Sequence, residues 1–576
     1  MIHSQSSLKL LGLFLFSCFC ITGNTQNKLH IPPAEADNDF SLEILAGTRE
    51  FFTGVETPTW GFNGNLLGPT LIFEKGENVV ISTMNRLNEV TTIHWHGFEI
   101  PPAMDGGATA HHHIHPGEQF FSSFEILNRA GTYWYHPHPH ENTEAHVVRG
   151  LAGMIIIRDE EEAALELPRT YGVDDIPLII QDKTFDDDGL IVETGLSDTM
   201  MVNGTLNSLL DAPAQMVRFR ALNASAARHY YLGWSDSTTL IQIAVGGGLL
   251  ESPLPQHRIQ IAPGERVEFL ANFNGRAGDS LQLMSFAPEM AEGTAGQGPV
   301  FAPGLVGANS PLNGAIFPIL SVAVGVQSEH PITNLPPDVL TEHTEKPKET
   351  DATHTRVLTI GSPNNGAGGP FYFNEEFYEE ETINQSVPAG SIEIWEIKNN
   401  TLIGHPFHLH GGSYFLLDRN GLPPPKNEDG PKDVWFLNRG ETMRIIVRAP
   451  FFVDYEVPYM YHCHMLGHED GGLMGNWIVT DPMTVSTEEP IADFGWSVNP
   501  NPTASLVQIN AQLKKATEIR LEIFSVTGKS IFNISERADI FYHKEIDLSG
   551  NPSGLYLVKL TADDLSVHQK LFLLGN

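Results

Sequence analysis

The stretch Tyr461-His462-Cys463-His464-Met465-Leu466-Gly467-His468 sets one cysteine between two histidines, with a further histidine four residues on. Three other stretches answer it: His94-Trp95-His96-Gly97, His136-Pro137-His138 and His405-Pro406-Phe407-His408-Leu409-His410-Gly411. In an extended segment neighbouring side chains point to opposite faces, so His462 and His464 share one face and Cys463 takes the other. A metal held by Cys463 is then separated from metals held by His462 and His464 by the covalent path of one residue, which is a route for electrons. A thiolate with two imidazoles and a weak or absent axial ligand is the donor set of a blue-copper electron-transfer site, and His405 and His468 are the natural imidazole partners of Cys463. The other eight histidines form four His-x-His pairs, enough for a cluster of several coppers. Zinc fits this donor set poorly, since a structural zinc needs about four ligands per ion.

Such pairs need strand ends to hold them, and the chain supplies strands. Its 576 residues suggest roughly four domains. With 53 glycines, 39 prolines and many short alternating apolar runs, it reads as all-β. Residues 38–160 and 352–483 carry the ligand stretches and repeat one another in outline. Each has a His-x-His-Gly stretch, a strand opening at a Gly-Glu turn, an aromatic strand running into a second His-x-His, and a Gly-Leu closing strand. Such self-similarity implies duplicated modules, and the even split of ligand pairs places the cluster at the interface of the two. Residues 170–328 contain only His229 and His257 and read as a sandwich that serves as spacer and wall. A Pro- and charge-rich linker follows. Residues 494–576 read as a small separate β-sandwich with no visible chemistry.

The N-terminus holds Lys9 and an apolar run, Leu10 to Cys20, too short to span a bilayer and suited to an export signal over residues 1–25. No second segment is apolar enough to cross a membrane. The cysteines are Cys18, Cys20 and Cys463. Removal of the signal leaves Cys463 alone, and an exported protein that keeps one thiol outside any disulfide points to a chemical role for it. The formal net charge of −36 argues against nucleic acid and anionic membrane surfaces as partners. Among the remaining histidines, the run His111-His112-His113-Ile114-His115 reads as an exposed loop, with copper loading as the alternative. His140 and His146 are either partners of ligating histidines or surface residues.

At the four ligand stretches, together with Met104-Asp105-Gly106-Gly107 and Gly150-Leu151-Ala152-Gly153, the chain resembles multicopper oxidases of the three-cupredoxin type over roughly residues 38–483. The first module is most similar to bacterial copper-efflux oxidases and the related bilirubin-oxidase and laccase branch. The resemblance implies three consecutive cupredoxin-like Greek-key β-sandwiches and four copper ions. His405, Cys463 and His468 would hold the type 1 copper, and His94 and His408 the type 2. His96, His136 and His464 would hold one type 3 copper, and His138, His410 and His462 the other. Asp105 and Glu469 match positions that the family uses for proton supply, although on spacing alone Asp105, inside Asp-Gly-Gly, reads equally as a turn residue. The axial type 1 position is Leu473, where the efflux oxidases have methionine. Met284 and Met290 are isolated, and Thr401 and Ile403 stand before His405 where those enzymes carry an acid and a methionine.

The implied activity couples four one-electron oxidations to reduction of O2 to water. The absence of methionine clusters favours a laccase-like oxidase of phenolic, aromatic or pigment substrates. The alternative is a metallo-oxidase, such as a cuprous oxidase of copper tolerance. The tail resembles the C-terminal sorting domain of the type IX secretion system, through Asn499-Pro500-Asn501-Pro502 and Gly554-Leu555-Tyr556. That implies an export-machinery partner and a secreted or cell-surface location, with the periplasm as alternative. The expected partners are otherwise a small-molecule reductant and O2, and a monomer is favoured.

Overall fold

The computed structural model describes residues 26–36, 39–298, 309–363, 369–481, 495–501, 503, 505–525, 529–562 and 565–574. The expected signal, with Cys18 and Cys20, lies outside the described residues. The chain divides into two compact units, residues 1–483 and 484–576. Strands dominate both. The longest α-helix among the described residues, Thr143–Arg149, has 7 residues, and no helix is long and apolar enough to cross a membrane.

The first unit contains three β-sandwiches, as the sequence led us to expect. In the first, a five-stranded sheet faces a four-stranded one. Their inner faces enclose Leu42, Ile44, Leu71, Trp95, Tyr133, Tyr135 and Ile155. In the third, a six-stranded sheet faces a five-stranded one over Trp395, Phe407, Leu409, Tyr461, Cys463 and Trp477. The second sandwich has sheets of six and eight strands with its own core around Phe219, Trp234 and Phe269.

The duplicated outline is visible strand by strand. In the first sandwich, Thr70–Glu74 runs parallel to Gly153–Arg158, which pairs antiparallel with Gly131–His136, which pairs antiparallel with His94–His96. In the third, Ile383–Pro388 runs parallel to Met474–Thr480, followed in the same sense by Tyr459–Cys463 and His405–Leu409. Register then sorts the side chains. Trp95 sits opposite Tyr135, both turned into the first core, while His94 sits opposite His136. Phe407 sits opposite Cys463, both turned into the third core, while His408 sits opposite His462. The period of two in a strand therefore sends Cys463 inside the third sandwich and its flanking histidines out of it, towards the first.

Between the modules, the Asp470 carboxylate accepts the Thr143 and Glu144 amides at 2.9 Å each, capping the first turn of the helix Thr143–Arg149. Asp470 ends the short helix Leu466–Asp470, which also carries His468 and Glu469.

The second unit is a sandwich of a three-stranded and a four-stranded sheet closed over Val507, Ile509, Leu521, Val558 and Leu560.

Candidate metal centre

Eight histidines converge on one buried volume between the first and third sandwiches. His138 Nε2 and His410 Nε2 each lie 3.1 Å from His462 Nε2. His94, His408 and His410 form a second close group, and His94, His96 and His136 a third. His464 stands beside this third group, its ring centroid 5.0 Å from that of His96 and 5.6 Å from that of His136. The rings of His96 and His408 stack at 3.9 Å with 8° between their planes.

Burial and mutual repulsion hold these imidazoles in the neutral, metal-binding form. Desolvation, together with neighbouring imidazoles, pushes His94, His96, His136, His408, His410 and His464 well below the ordinary histidine range, and desolvation brings His138 and His462 down to about 4. Most rings are pinned by one nitrogen. His94 Nδ1 donates to Asp105 O at 2.7 Å, His136 Nδ1 to Pro137 O at 2.9 Å and His408 Nδ1 to Asp433 O at 2.8 Å. The opposite nitrogens, His94 Nε2, His136 Nε2 and His408 Nε2, have no protein partner, nor do His96 Nδ1 and both nitrogens of His464. A buried polar group left unmet costs on the order of 1–3 kcal/mol, so a cage of them would be comparable to the whole stability of a domain, about 5–15 kcal/mol. Lone pairs of neutral imidazoles turned towards one another suit cations, and among the divalent metals that imidazole suits copper is bound most tightly.

A second donor set lies inside the third sandwich. Cys463 Sγ is 3.6 Å from both His405 Nδ1 and His468 Nδ1. His405 is held from behind by Thr401 Oγ1 at 2.9 Å from Nε2. Burial pushes the Cys463 thiol well up, so a thiolate there requires a bound cation, as coordination supplies. His468 is the half-buried member, and Phe371 covers both rings, with centroids 4.8 Å from His405 and 4.6 Å from His468. Leu473 is fully buried in the same apolar core as Cys463, and its carbonyl accepts the Cys463 amide at 3.0 Å. Met474 turns away, into a separate group with Met460 and Ala108.

Two of the buried carboxyls that flank the eight-histidine cage stand beside His410, His462 and His138. Asp105 Oδ2 is 2.6 Å from His410 Nδ1. Glu469 Oε2 is 3.1 Å from His462 Nδ1 and its Oε1 3.4 Å from His138 Nδ1, neither aligned as a hydrogen bond. Desolvation raises both carboxyls, Asp105 well above the ordinary carboxylate range. A carboxyl that holds its proton nearer to neutral pH is of the kind that serves as a general acid.

Elsewhere the structure sharpens the sequence reading. His112 is buried, with Nε2 2.8 Å from Pro102 O and Nδ1 3.2 Å from Thr109 Oγ1, so the His111–His115 run is not wholly an exposed loop. His146 is buried between Thr91 Oγ1 and Glu89 Oε1, at 3.1 and 2.9 Å. His140 packs on Tyr378. The second sandwich does more than separate its neighbours. A Cβ on Gly264 would come within 2.6 Å of the His464 ring, so only glycine fits there. Arg266 donates to both Asp433 oxygens at 2.6 Å, and Asp433 Oδ1 is 3.1 Å from His96 Nε2. Nothing in the local sequence around Arg266 or Asp433 marks these contacts.

Residues 44–162 and 348–483 match the multicopper oxidase family, and residues 497–573 match the secretion system C-terminal sorting domain. The multicopper oxidase mco of Staphylococcus haemolyticus is 32% identical over 458 residues, covering 77% of this chain and 89% of that protein. Among solved structures, the laccase-like multicopper oxidase CueO of Ochrobactrum sp., described as acting on lignin model compounds and lignosulfonate, is 29% identical with a TM-score of 0.69 over 78% of this chain and 100% of its own. A Campylobacter jejuni multicopper oxidase, described as a metallo-oxidase, is 25% identical with a TM-score of 0.67 over 79% and 96%. The family match makes the caged imidazoles those of a copper-dependent oxidoreductase with O2 as acceptor. The chain belongs to the multicopper oxidase family, and its tail is a sorting domain for export by the type IX route.

Proposed function

We propose that the protein is a laccase-like oxidase that takes electrons from phenolic, aromatic or pigment substrates, one at a time, and delivers four of them to O2. Residues 38–160, 170–328 and 352–483 form its three cupredoxin modules, after a signal over 1–25 and before a sorting domain over 494–576. Four copper ions fit the donors. His405, Cys463 and His468 take the type 1 ion, and His94 and His408 the type 2. His96, His136, His464 and His138, His410, His462 take the type 3 pair. Copper bound there supplies one-electron chemistry and the means to reduce O2 to two waters.

The chain's own residues do the rest. His468, half-buried, offers the edge through which a reductant gives up its electron, and Phe371 shields the site from water. Cys463 passes charge along one covalent step to His462 and His464. Asp105 and Glu469 stand at the cage with raised pKa values and supply protons. The supporting observation is the alternation along Tyr459–Cys463, which gives Cys463 to one buried donor set and His462 to the other.

Organic substrates are favoured because Met284 and Met290 are isolated in the sequence and Met290 is buried in the second core. One observation favours the second reading, a metallo-oxidase. Glu144 and Asp470 are partly exposed carboxyls near His468, Glu144 Oε2 against Gly467 and Asp470 at the end of the helix that carries His468, and cationic reductants would gather there. The copper-loaded enzyme, tested against phenols, bilirubin, Cu(I) and Fe(II), decides. Phenol turnover at least tenfold above metal-ion turnover is expected, and the reverse order would establish the second reading. We further propose a secreted or surface-held monomer.

A further inference from the structure

We propose that Arg266 and Asp433 form a buried clamp which fixes, from outside the ligand set, the nitrogens that His96 and His408 present to the oxygen-reducing site, and that the second sandwich is thereby a working part of that site. The inference rests on the assignment of the cage as the trinuclear copper centre.

Asp433 serves two histidines at once. Its carbonyl accepts His408 Nδ1 at 2.8 Å and its carboxylate Oδ1 accepts His96 Nε2 at 3.1 Å. Each bond takes up one ring N–H and leaves the opposite nitrogen, His408 Nε2 or His96 Nδ1, without a protein partner and free to face a metal. The two rings are the stacked pair, so one residue sets the tautomer and tilt of both. In the proposed assignment they belong to different coppers, the type 2 ion and one of the type 3 pair.

Asp433 is in turn immobilised. His96, His408 and Asp433 lie close enough together to hold a cation, but both carboxylate oxygens already accept from Arg266, so the acid serves the histidines rather than a metal. Arg266 is fully buried and spends all five N–H donors. Nε donates to Thr132 O at 3.0 Å, one terminal nitrogen to Gly264 O at 3.0 Å and to Asp433 Oδ1, and the other to Gly246 O at 3.1 Å and to Asp433 Oδ2. These partners come from all three sandwiches. The rigid planar fork matches a carboxylate in two bonds, which a lysine ammonium cannot reproduce. The positive charge also balances Asp433, so the wall beside a site that takes up cations is neutral. Room for the pair comes from Gly97, next to His96. A Cβ there would stand 2.3 Å from Asp433 Oδ2 and 3.0 Å from an Arg266 nitrogen, and its φ of 85° favours glycine independently.

Arg266 and Asp433 are positioning residues, and the test must separate positioning from mere support. Asp433→Asn and Arg266→Lys, loaded with copper, are compared with the wild type for copper per chain, blue absorbance and the fraction of copper visible by EPR. Blue absorbance reports the Cys463 site and correct folding. A coupled type 3 pair is silent in EPR, so its disruption makes hidden copper visible or lost. Expected are blue absorbance within twofold of wild type, turnover at least tenfold lower, and either fewer coppers per chain or a larger EPR-visible share, with Arg266→Lys milder than Asp433→Asn. A wild-type EPR share and copper count in either folded variant overturns the clamp. Parallel loss of blue absorbance and cage copper in both variants also overturns it, since that is the mark of a purely structural pin. A wild-type chain holding a single copper or none would instead refute the assignment of the cage itself.

Discussion

Asp105 Oδ2 lies 2.6 Å from His410 Nδ1, across 305 residues of sequence and from the first sandwich to the third. The same residue's carbonyl takes His94 Nδ1 at 2.7 Å. One acid thus touches two histidines of the cage, and burial keeps its carboxyl well above the ordinary range. Replacing it with asparagine keeps the shape and removes the ionisable proton. General acid–base help is worth about 10²–10⁴-fold, so Asp105→Asn is expected to lower turnover by roughly 100-fold. Anaerobic bleaching of the blue colour by substrate should proceed at the wild-type rate. Stopped-flow absorbance checks both, and unchanged turnover would remove Asp105 from proton supply.

Leu473 is buried with Cys463 and Phe407 in one core, and in the proposed assignment its hydrocarbon would take the axial side of the type 1 copper. A thioether there would add a weak ligand that stabilises oxidised copper. Leu473→Met is therefore expected to lower the type 1 potential by at least about 59 mV, tenfold in a one-electron equilibrium. Core volume is nearly conserved, so the change should cost less than about 1.5 kcal/mol. Redox titration of the blue band is the check, and an unmoved potential would mean that the axial position lies elsewhere.

The copper-free protein should be acid-labile. Burial holds His138 and His462 at about 4 when folded, against about 6.5 in an unfolded chain. Between those values the unfolded state binds protons that the folded state does not, so stability is present above about pH 6.5 and falls as pH drops towards 4. Each proton taken up contributes a slope of about 1.4 kcal/mol per pH unit. Copper competes with protons for the same nitrogens and should flatten the dependence. Unfolding midpoints of copper-free and copper-loaded protein at pH 7 and 5 test this, and identical midpoints in the copper-free protein would contradict it.

Much of the centre was legible in sequence because its logic is local. A His-x-His pair on a strand shares a face, and His462-Cys463-His464 splits its donors between two faces, whatever the rest of the chain does. The duplicated module was legible for the same reason: Tyr133-Trp134-Tyr135-His136 and Tyr459-Met460-Tyr461-His462 carry one pattern, and four strands of each sheet follow one order. What escaped was non-local. Arg266 and Asp433 are 167 residues apart, and a buried ion pair leaves no periodic trace at either end. Gly264 reads as an ordinary turn glycine until the His464 ring is seen against it. The sequence places His112 in an exposed loop and leaves His146 as a ligand partner or a surface residue, because their partners, Pro102, Thr109, Thr91 and Glu89, lie outside any motif.

The most direct measurement is copper per chain together with blue absorbance, in the wild type and in Cys463→Ser. Four coppers and a blue band are expected in the wild type. The serine variant should keep about three coppers, show no blue band and oxidise no substrate. A blue variant, or a wild type that binds a single copper or none after reconstitution, would contradict the assignment of Cys463 and of the cage beside it.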